Sequence, residues 1–285
     1  MGGVTIPIDT PCDFAELVRV ERARLLDTLR SLSAEDWQRA TPCPGWDVLG
    51  LVNHLIGDDL SVVAWQRDQH HGTPAPAAAD EATFIDWLDN LQMEWVHAAR
   101  RISPRLAVEL LDWLGDPVAD TFAAQDPRCC TARVSWASDS SVPIWLDQAR
   151  ELAERWIHRQ QLLEAVGRPT DLNEDLTGPV LDALRWAYPY RLGAVDVLDS
   201  RVDIKVAEPL HRIWRLTNRG GVWMFIDRAD APAGAVLSMT VEQAWRLLTN
   251  NYDASVHGPL RTSGDQTLVD VLLKTRAIVG APKTR

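Results

Sequence analysis

The spacing of apolar residues changes near residue 170, and this change limits the fold more than any other feature of the chain. Upstream, four segments carry apolar residues mostly every three or four positions, the spacing of helices with one face in a core. They cover 13–32 (Phe14, Leu17, Val18, Leu25, Leu29), 47–65 (Leu51, Leu55, Val62, Trp65), 84–95 (Phe84, Trp87, Leu88, Leu91, Trp95) and 144–163 (Ile144, Leu146, Leu152, Trp156, Leu163). Thr41-Pro42-Cys43-Pro44-Gly45-Trp46 supplies turn residues ahead of Asp47, a side chain suited to cap the second segment. Gly72-Thr73-Pro74-Ala75-Pro76-Ala77-Ala78-Ala79 reads as a linker before the third. Ser140-Ser141-Val142-Pro143 opens the fourth, and Gly167-Arg168-Pro169 stops it. The stretch 103–137 is weaker, and predicts a short helix near 106–114 followed by a loop through Asp116-Pro117 and Asp126-Pro127.

Downstream of residue 170 the segments are short and rich in Val, Ile and Trp. Residues 201–206, 211–217 and 222–227 read as strands, with Asn218-Arg219-Gly220-Gly221 as a hairpin turn between the last two. A further strand is expected at 236–240, then helices at 241–249 and 266–279. A single core stops growing at around 250–300 residues, so 285 residues fit two domains. The expected fold class is α plus α+β: a four-helix bundle over 1–168 and a smaller α+β domain over 169–285.

Composition narrows the partners. Hydrophobic residues make up 46% and charged residues 24%, ordinary globular values that exclude wholesale disorder. A net charge of −11 repels phosphate backbones and anionic lipid, so neither nucleic acid nor a membrane is an expected partner. Cys12, Cys43, Cys129 and Cys130 contain no pair with the two-residue gap of a zinc ribbon or redox loop, and are read as reduced thiols. Met1-Gly2-Gly3-Val4-Thr5 has no basic-then-apolar pattern, and no uncharged run nears the ~20 residues needed to span a bilayer. A soluble, cytoplasmic chain is expected. Thirteen tryptophans are the compositional oddity, and most are assigned to packing within the two domains.

One constellation can carry chemistry. Glu154-Arg155-Trp156-Ile157-His158 puts a carboxylate and an imidazole four residues apart, on one face of the fourth helix. Spacing alone proves little: seven histidines among 40 acidic residues give about one such pair by chance, and Asp253…His257 is a second. Context favours the first pair, because apolar neighbours reject charge unless something such as a divalent cation holds it. His54, between Leu51 and Leu55 with Asp58 one turn on, is the natural third ligand from another helix. His70, His71, His97, His211 and His257 are read as ordinary hydrogen-bonding residues.

Trp37, Thr41-Pro42-Cys43-Pro44-Gly45-Trp46-Asp47-Val48, Val52-Asn53-His54-Leu55 and Glu154-Arg155-Trp156-Ile157-His158 together resemble the mycothiol-dependent maleylpyruvate isomerase family of the DinB-like four-helix superfamily. Ala244-Trp245-Arg246-Leu247-Leu248-Thr249 and Gly264-Asp265 look like that family's second domain. The resemblance implies a zinc-type site with His54, Glu154 and His158 as ligands, and mycothiol held on the metal as its thiolate. It implies two reactions: transfer of the thiol to an electrophile, or reversible addition that isomerises a cis double bond. Where relatives that isomerise a dianionic substrate often carry Gly-Arg, this chain has Asn250-Asn251, which leaves Arg246 or Arg276 to meet a substrate anion. S-transfer or thiol exchange on a small electrophile is therefore the first expectation, cis–trans isomerisation the second, and a non-catalytic scaffold the third. The expected partners are a small thiol and a small electrophile, with a homodimer as one assembly.

Overall fold

The computed structural model describes residues 4–72, 76, 81–195, 197, 200–228 and 232–278. In chain order the elements are α1 (Phe14–Arg30), α2 (Val48–Val62), α3 (Glu81–Ala98), α4 (Pro104–Ala123), α5 (Ile144–Ala165), α6 (Glu174–Leu184) and α7 (Ala187–Leu192). There follow β1 (Arg201–Val206), β2 (Arg212–Arg219), β3 (Val222–Ile226), β4 (Ala235–Met239), α8 (Val241–Leu248), α9 (Ala254–His257), β5 (Arg261–Gly264) and α10 (Gln266–Lys274). Helices with a mixed five-stranded sheet make this an α+β protein. Contacts group the chain into two compact units: Asp13–Asp126 with Glu154–Asp171, and Met1–Cys12 with Pro127–Ala153 and Leu172–Arg285. Most of the linker expected at 72–79 lies outside the described residues.

The first unit is helical. Asp13 caps α1 by accepting from the Glu16 amide at 3.1 Å, and Asp47 caps α2 by accepting from the Gly50 amide at 2.7 Å. α4 packs against α1 and α2, and α3 against α2. Their shared core is aliphatic, built on Leu25, Leu29, Leu51, Leu55, Leu111 and Leu162. The run Val48–Arg67 is long and apolar enough to cross a membrane by length and composition, with a mean hydropathy of 1.2, but 56% of that stretch is buried inside the protein. Core packing accounts for its apolar character.

α4 corrects the expectation of a short helix ending before Pro117. Ser103 caps it by accepting from the Leu106 amide and Pro104 fills its first turn, and the helix continues through Pro117 to Ala123. An interior proline costs about 3 kcal/mol. Leu111, Leu114, Val118 and Phe122, spaced at three and four, are all at most 2% exposed. Burying one such side chain contributes roughly 1.5–3 kcal/mol, so the apolar face outweighs the proline.

Two buried ion networks tie α5 to this unit. The Asp59 carboxylate on α2, 1% exposed, accepts from the guanidinium groups of Arg22 on α1 and of Arg155 on α5, the latter at 2.9 Å. Glu21 on α1 accepts from both Nε (2.6 Å) and Nη2 (2.9 Å) of Arg159. A helix turns about 100° per residue, so Arg155 and Arg159 sit beside the face that carries Glu154 and His158.

In the second unit the strand order is β3-β2-β1-β4-β5; β1 and β4 run parallel, and every other neighbouring pair runs antiparallel. The expected hairpin lies between β2 and β3, where Gly220 (φ +61°) and Gly221 (φ +87°) take left-handed conformations and the Asn218 side chain accepts from the Gly221 amide at 2.9 Å. Val202, Ile204, Val206, Trp214, Leu216 and Leu237 fill one face. The opposite face is more open, and the register aligns Ile213, Lys205, Ser238 and Arg261 in one row across β2, β1, β4 and β5. The helix expected at 266–279 stops at Lys274, because Thr275 takes extended φ/ψ; residue 279 lies outside the described residues. β5, whose four residues are all exposed, carries no sequence signal: Arg-Thr-Ser-Gly has no apolar alternation to reveal it.

Candidate metal centre

α2 and α5 each bring imidazole to one point. His54 and His158 are 6% and 8% exposed, while the Glu154 side chain keeps 23% exposure. One ligand atom from each of the three lies within 4.8 Å of the other two. His54 Nε2 is 3.1 Å from His158 Nε2 and 3.5 Å from a Glu154 oxygen; His158 Nε2 is 2.9 Å from the same oxygen. Asp58 Oδ2 stands on the His54 side, 3.2 Å from its Nε2.

Hydrogen bonding at the far side of each ring fixes which nitrogen carries a proton. Gln92 Nε2 donates to Asp58 Oδ1 at 2.7 Å. A carboxylate only accepts, so the Gln92 amide oxygen is the atom turned toward His54 Nδ1, at 3.1 Å, and that nitrogen must donate. His158 Nδ1 donates likewise to Gln161 Oε1 at 2.7 Å, an oxygen that also accepts from the Cys43 thiol at 3.1 Å. Both Nε2 atoms are then lone-pair donors aimed at each other and at a carboxylate. Such a group is repulsive until a cation enters it, and proton and metal ion compete for the place.

The electrostatics agree. Burial alone would push the Glu154 carboxyl up, but His158 and His54 hold it well below the usual carboxylate range. Burial alone would depress His158, but Glu154, with Cys43, holds it well above the usual histidine range.

Neighbours set the ring positions. Trp46 lies over His54 with ring centroids 4.9 Å apart. The indole of Trp95 on α3 sits so close to α2 that a Cβ on Gly57 would come within 2.5 Å of it, and its Nε1 donates to the Asn53 carbonyl at 2.7 Å. Gln92 lies three residues earlier on α3, the offset that puts both side chains on one face of that helix. Cys43, Trp46, Asn53 and Arg100 also line a cavity of about 540 Å³.

The three residues expected to form a site are therefore together. Arg246 belongs to α8 in the second unit, 6% exposed, with Nε 2.6 Å from Glu242 and its guanidinium 4.4 Å from the Trp245 ring centre. Arg276 donates to the carbonyls of Leu273 and Thr275 at 2.9 and 2.8 Å. The competing pair Asp253…His257 is explained locally, since His257 Nδ1 accepts from the Asp253 amide at 2.9 Å. Sequence reasoning missed Gln92 and Gln161. Gln161, three residues after His158 on the same helix, had a spacing signal; Gln92 had none.

Fold and site together define a mostly helical α+β protein with a two-histidine, one-carboxylate cluster suited to a divalent cation. Residues 18–163 match the family model described as "Mycothiol maleylpyruvate isomerase N-terminal domain", a span that includes all three cluster residues, and the chain belongs to that family. Among solved structures it is similar to a mycothiol-dependent maleylpyruvate isomerase, at 13% identity and a TM-score of 0.51, over 90% of this chain and 93% of that one. A histidine-to-alanine mutant of such an isomerase gives 12% identity and a TM-score of 0.52 over the same shares. At these identities the likeness is one of fold. No curated protein matches.

Proposed function

We propose that the chain is a metal-dependent enzyme that uses a low-molecular-weight thiol, mycothiol, for S-transfer or thiol exchange on a small-molecule electrophile. The observation that supports this reading is the convergence of two imidazole Nε2 atoms and a carboxylate oxygen, each ring held at its far nitrogen by a glutamine. His54, Glu154 and His158 would be the ligands of a zinc ion, three protein donors that leave a position open. A divalent cation bound there would hold a thiol, whose ordinary pKa is ~8.5, as its thiolate at neutral pH. His54 and His158 keep the donor geometry through Gln92 and Gln161, and Trp46 shields one ring face from water. No nucleophile of the chain's own is required.

Cis–trans isomerisation of the maleylpyruvate type is the second reading, favoured by the family match and by the names of the two similar structures. There the same thiol would add to an activated cis double bond and leave after rotation about the resulting single bond. Arg246 is proposed, in either reaction, to meet a substrate carboxylate. The same proposal includes a DinB-like four-helix bundle over 1–168, an α+β domain over 169–285 and a cytoplasmic setting.

Elemental analysis of the purified chain tests the reading. We expect about one equivalent of zinc or a similar ion in the wild type and its loss in His54→Ala. A wild type without such an ion, or a His54→Ala variant with undiminished content, overturns it and leaves a scaffold. Mycothiol at about 100 times its Kd should then raise stability by about 2.7 kcal/mol.

A further inference from the structure

The open sheet face holds the second feature that points to a ligand. We propose that this face carries a binding site for a small organic anion, its charged group lying over Ser238 between Lys205 and Arg261. The register makes Lys205 the partner of Ser238, and Ser238 the partner of Arg261, so the three side chains leave the sheet on one side in adjacent strands. Two strand spacings of ~4.8 Å separate the two cations, a distance their long stems can close over one group.

The surroundings fit that ligand and no cation. A cavity of about 570 Å³ lies here, inside the range of small-molecule sites. Its lining includes Lys205, His211, Arg212 and Arg261 and contains no carboxylate, in a chain whose net charge is −11. Arg212 is neutralised by Asp182 at 3.4 Å and Glu174 at 3.9 Å. Lys205 and Arg261 form no ion pair among the described residues. Unneutralised cations on a concave wall focus a positive potential on whatever enters. Ile213, paired in register with Lys205 and 45% exposed, extends the row with an apolar platform. The ligand therefore has two parts: a carboxylate or phosphate over Ser238, and a hydrocarbon or aromatic body over Ile213.

The experiment is a titration of the isotope-labelled full chain with phenyl phosphate and, separately, with inorganic phosphate, followed by backbone amide shifts. Phenyl phosphate should move the amides of Lys205, Ser238 and Arg261 saturably, with a Kd of about 1 mM or tighter, and inorganic phosphate should bind more weakly. Lys205→Glu with Arg261→Glu changes two exposed side chains, so folding should survive while affinity falls at least about tenfold; added salt should weaken the wild type likewise. No saturable shift, shifts confined to other residues, or unchanged affinity in the double variant would overturn the site. Equal affinity for inorganic phosphate would overturn the organic body of the ligand. None of these outcomes depends on the metal centre.

Discussion

His54 Nε2 and His158 Nε2 face each other at 3.1 Å, each ring having committed its Nδ1 proton to a glutamine carbonyl. The pair holds opposite helices in a contact that is favourable only with positive charge in or beside it. Occupancy by proton or metal ion should therefore control much of the behaviour of this unit.

The ion-free protein should have a stability optimum set by two groups. His158 is raised above its ordinary 6.5, so its contribution is complete below that value and is lost as pH rises through the folded pKa. Glu154 is lowered below its ordinary 4.5, so its contribution is complete above that value and is lost as pH falls through the folded pKa. Both are present between pH 4.5 and 6.5. Urea unfolding in chelator across pH 4–9 checks this; a midpoint that rises steadily to pH 9 contradicts it.

With metal the slope should reverse. Binding displaces the imidazole proton, so affinity should climb as pH rises toward the folded pKa of His158 and proton release should accompany uptake. Calorimetric titration in two buffers of different ionisation enthalpy measures the released protons directly. An identical heat in both buffers would count against the cluster as the binding place.

Replacing Gln92 by Leu frees the His54 ring to change tautomer and should weaken metal binding roughly 10- to 100-fold. The melting temperature should change little, because Gln92 is half-buried. Competition against a chelator of known affinity gives the number, and unchanged affinity in Gln92→Leu would count against the role of Gln92 in holding the ring.

Gly57→Ala should cost about 1–3 kcal/mol and also weaken the site, since its methyl would meet the Trp95 ring at 2.5 Å and displace α3 with Gln92. Combining it with Trp95→Phe, which removes part of the clashing ring, should recover stability. Denaturant midpoints of the single and double variants decide the point.

Asp59→Ala would leave Arg22 and Arg155 buried without their shared carboxylate, a loss of about 3–5 kcal/mol. Asp58, one residue earlier and 16% exposed at its side chain, should be tolerated in the fold when changed to Asn while reducing metal affinity. Parallel unfolding and metal-binding measurements distinguish these neighbours.

Much of this was legible in the sequence, for reasons particular residues make clear. α1 and α2 carry a capping aspartate and an apolar stripe, and β1 alternates with branched residues, so local chemistry and burial agree there. α4 was underestimated because Pro117 is a strong local signal, while the apolar face that overrides it acts through contacts with α1 and α2. His54, Glu154 and His158 could be named because two share a helix and the third follows a recognisable turn. Gln92 could not, since its importance comes only from Trp95 drawing α3 onto Gly57.

The short fifth strand has a bearing on assembly. β5 ends at Gly264, which adopts φ +100° where a Cβ would lie 2.0 Å from the Gly234 carbonyl oxygen, so no other residue fits there without moving the backbone. A polar, four-residue border closed by such a glycine offers little template for another chain to add on. The sheet thus carries protection against edge-to-edge aggregation on its β5 side, and a larger side chain introduced at Gly264 would expose the protein to it.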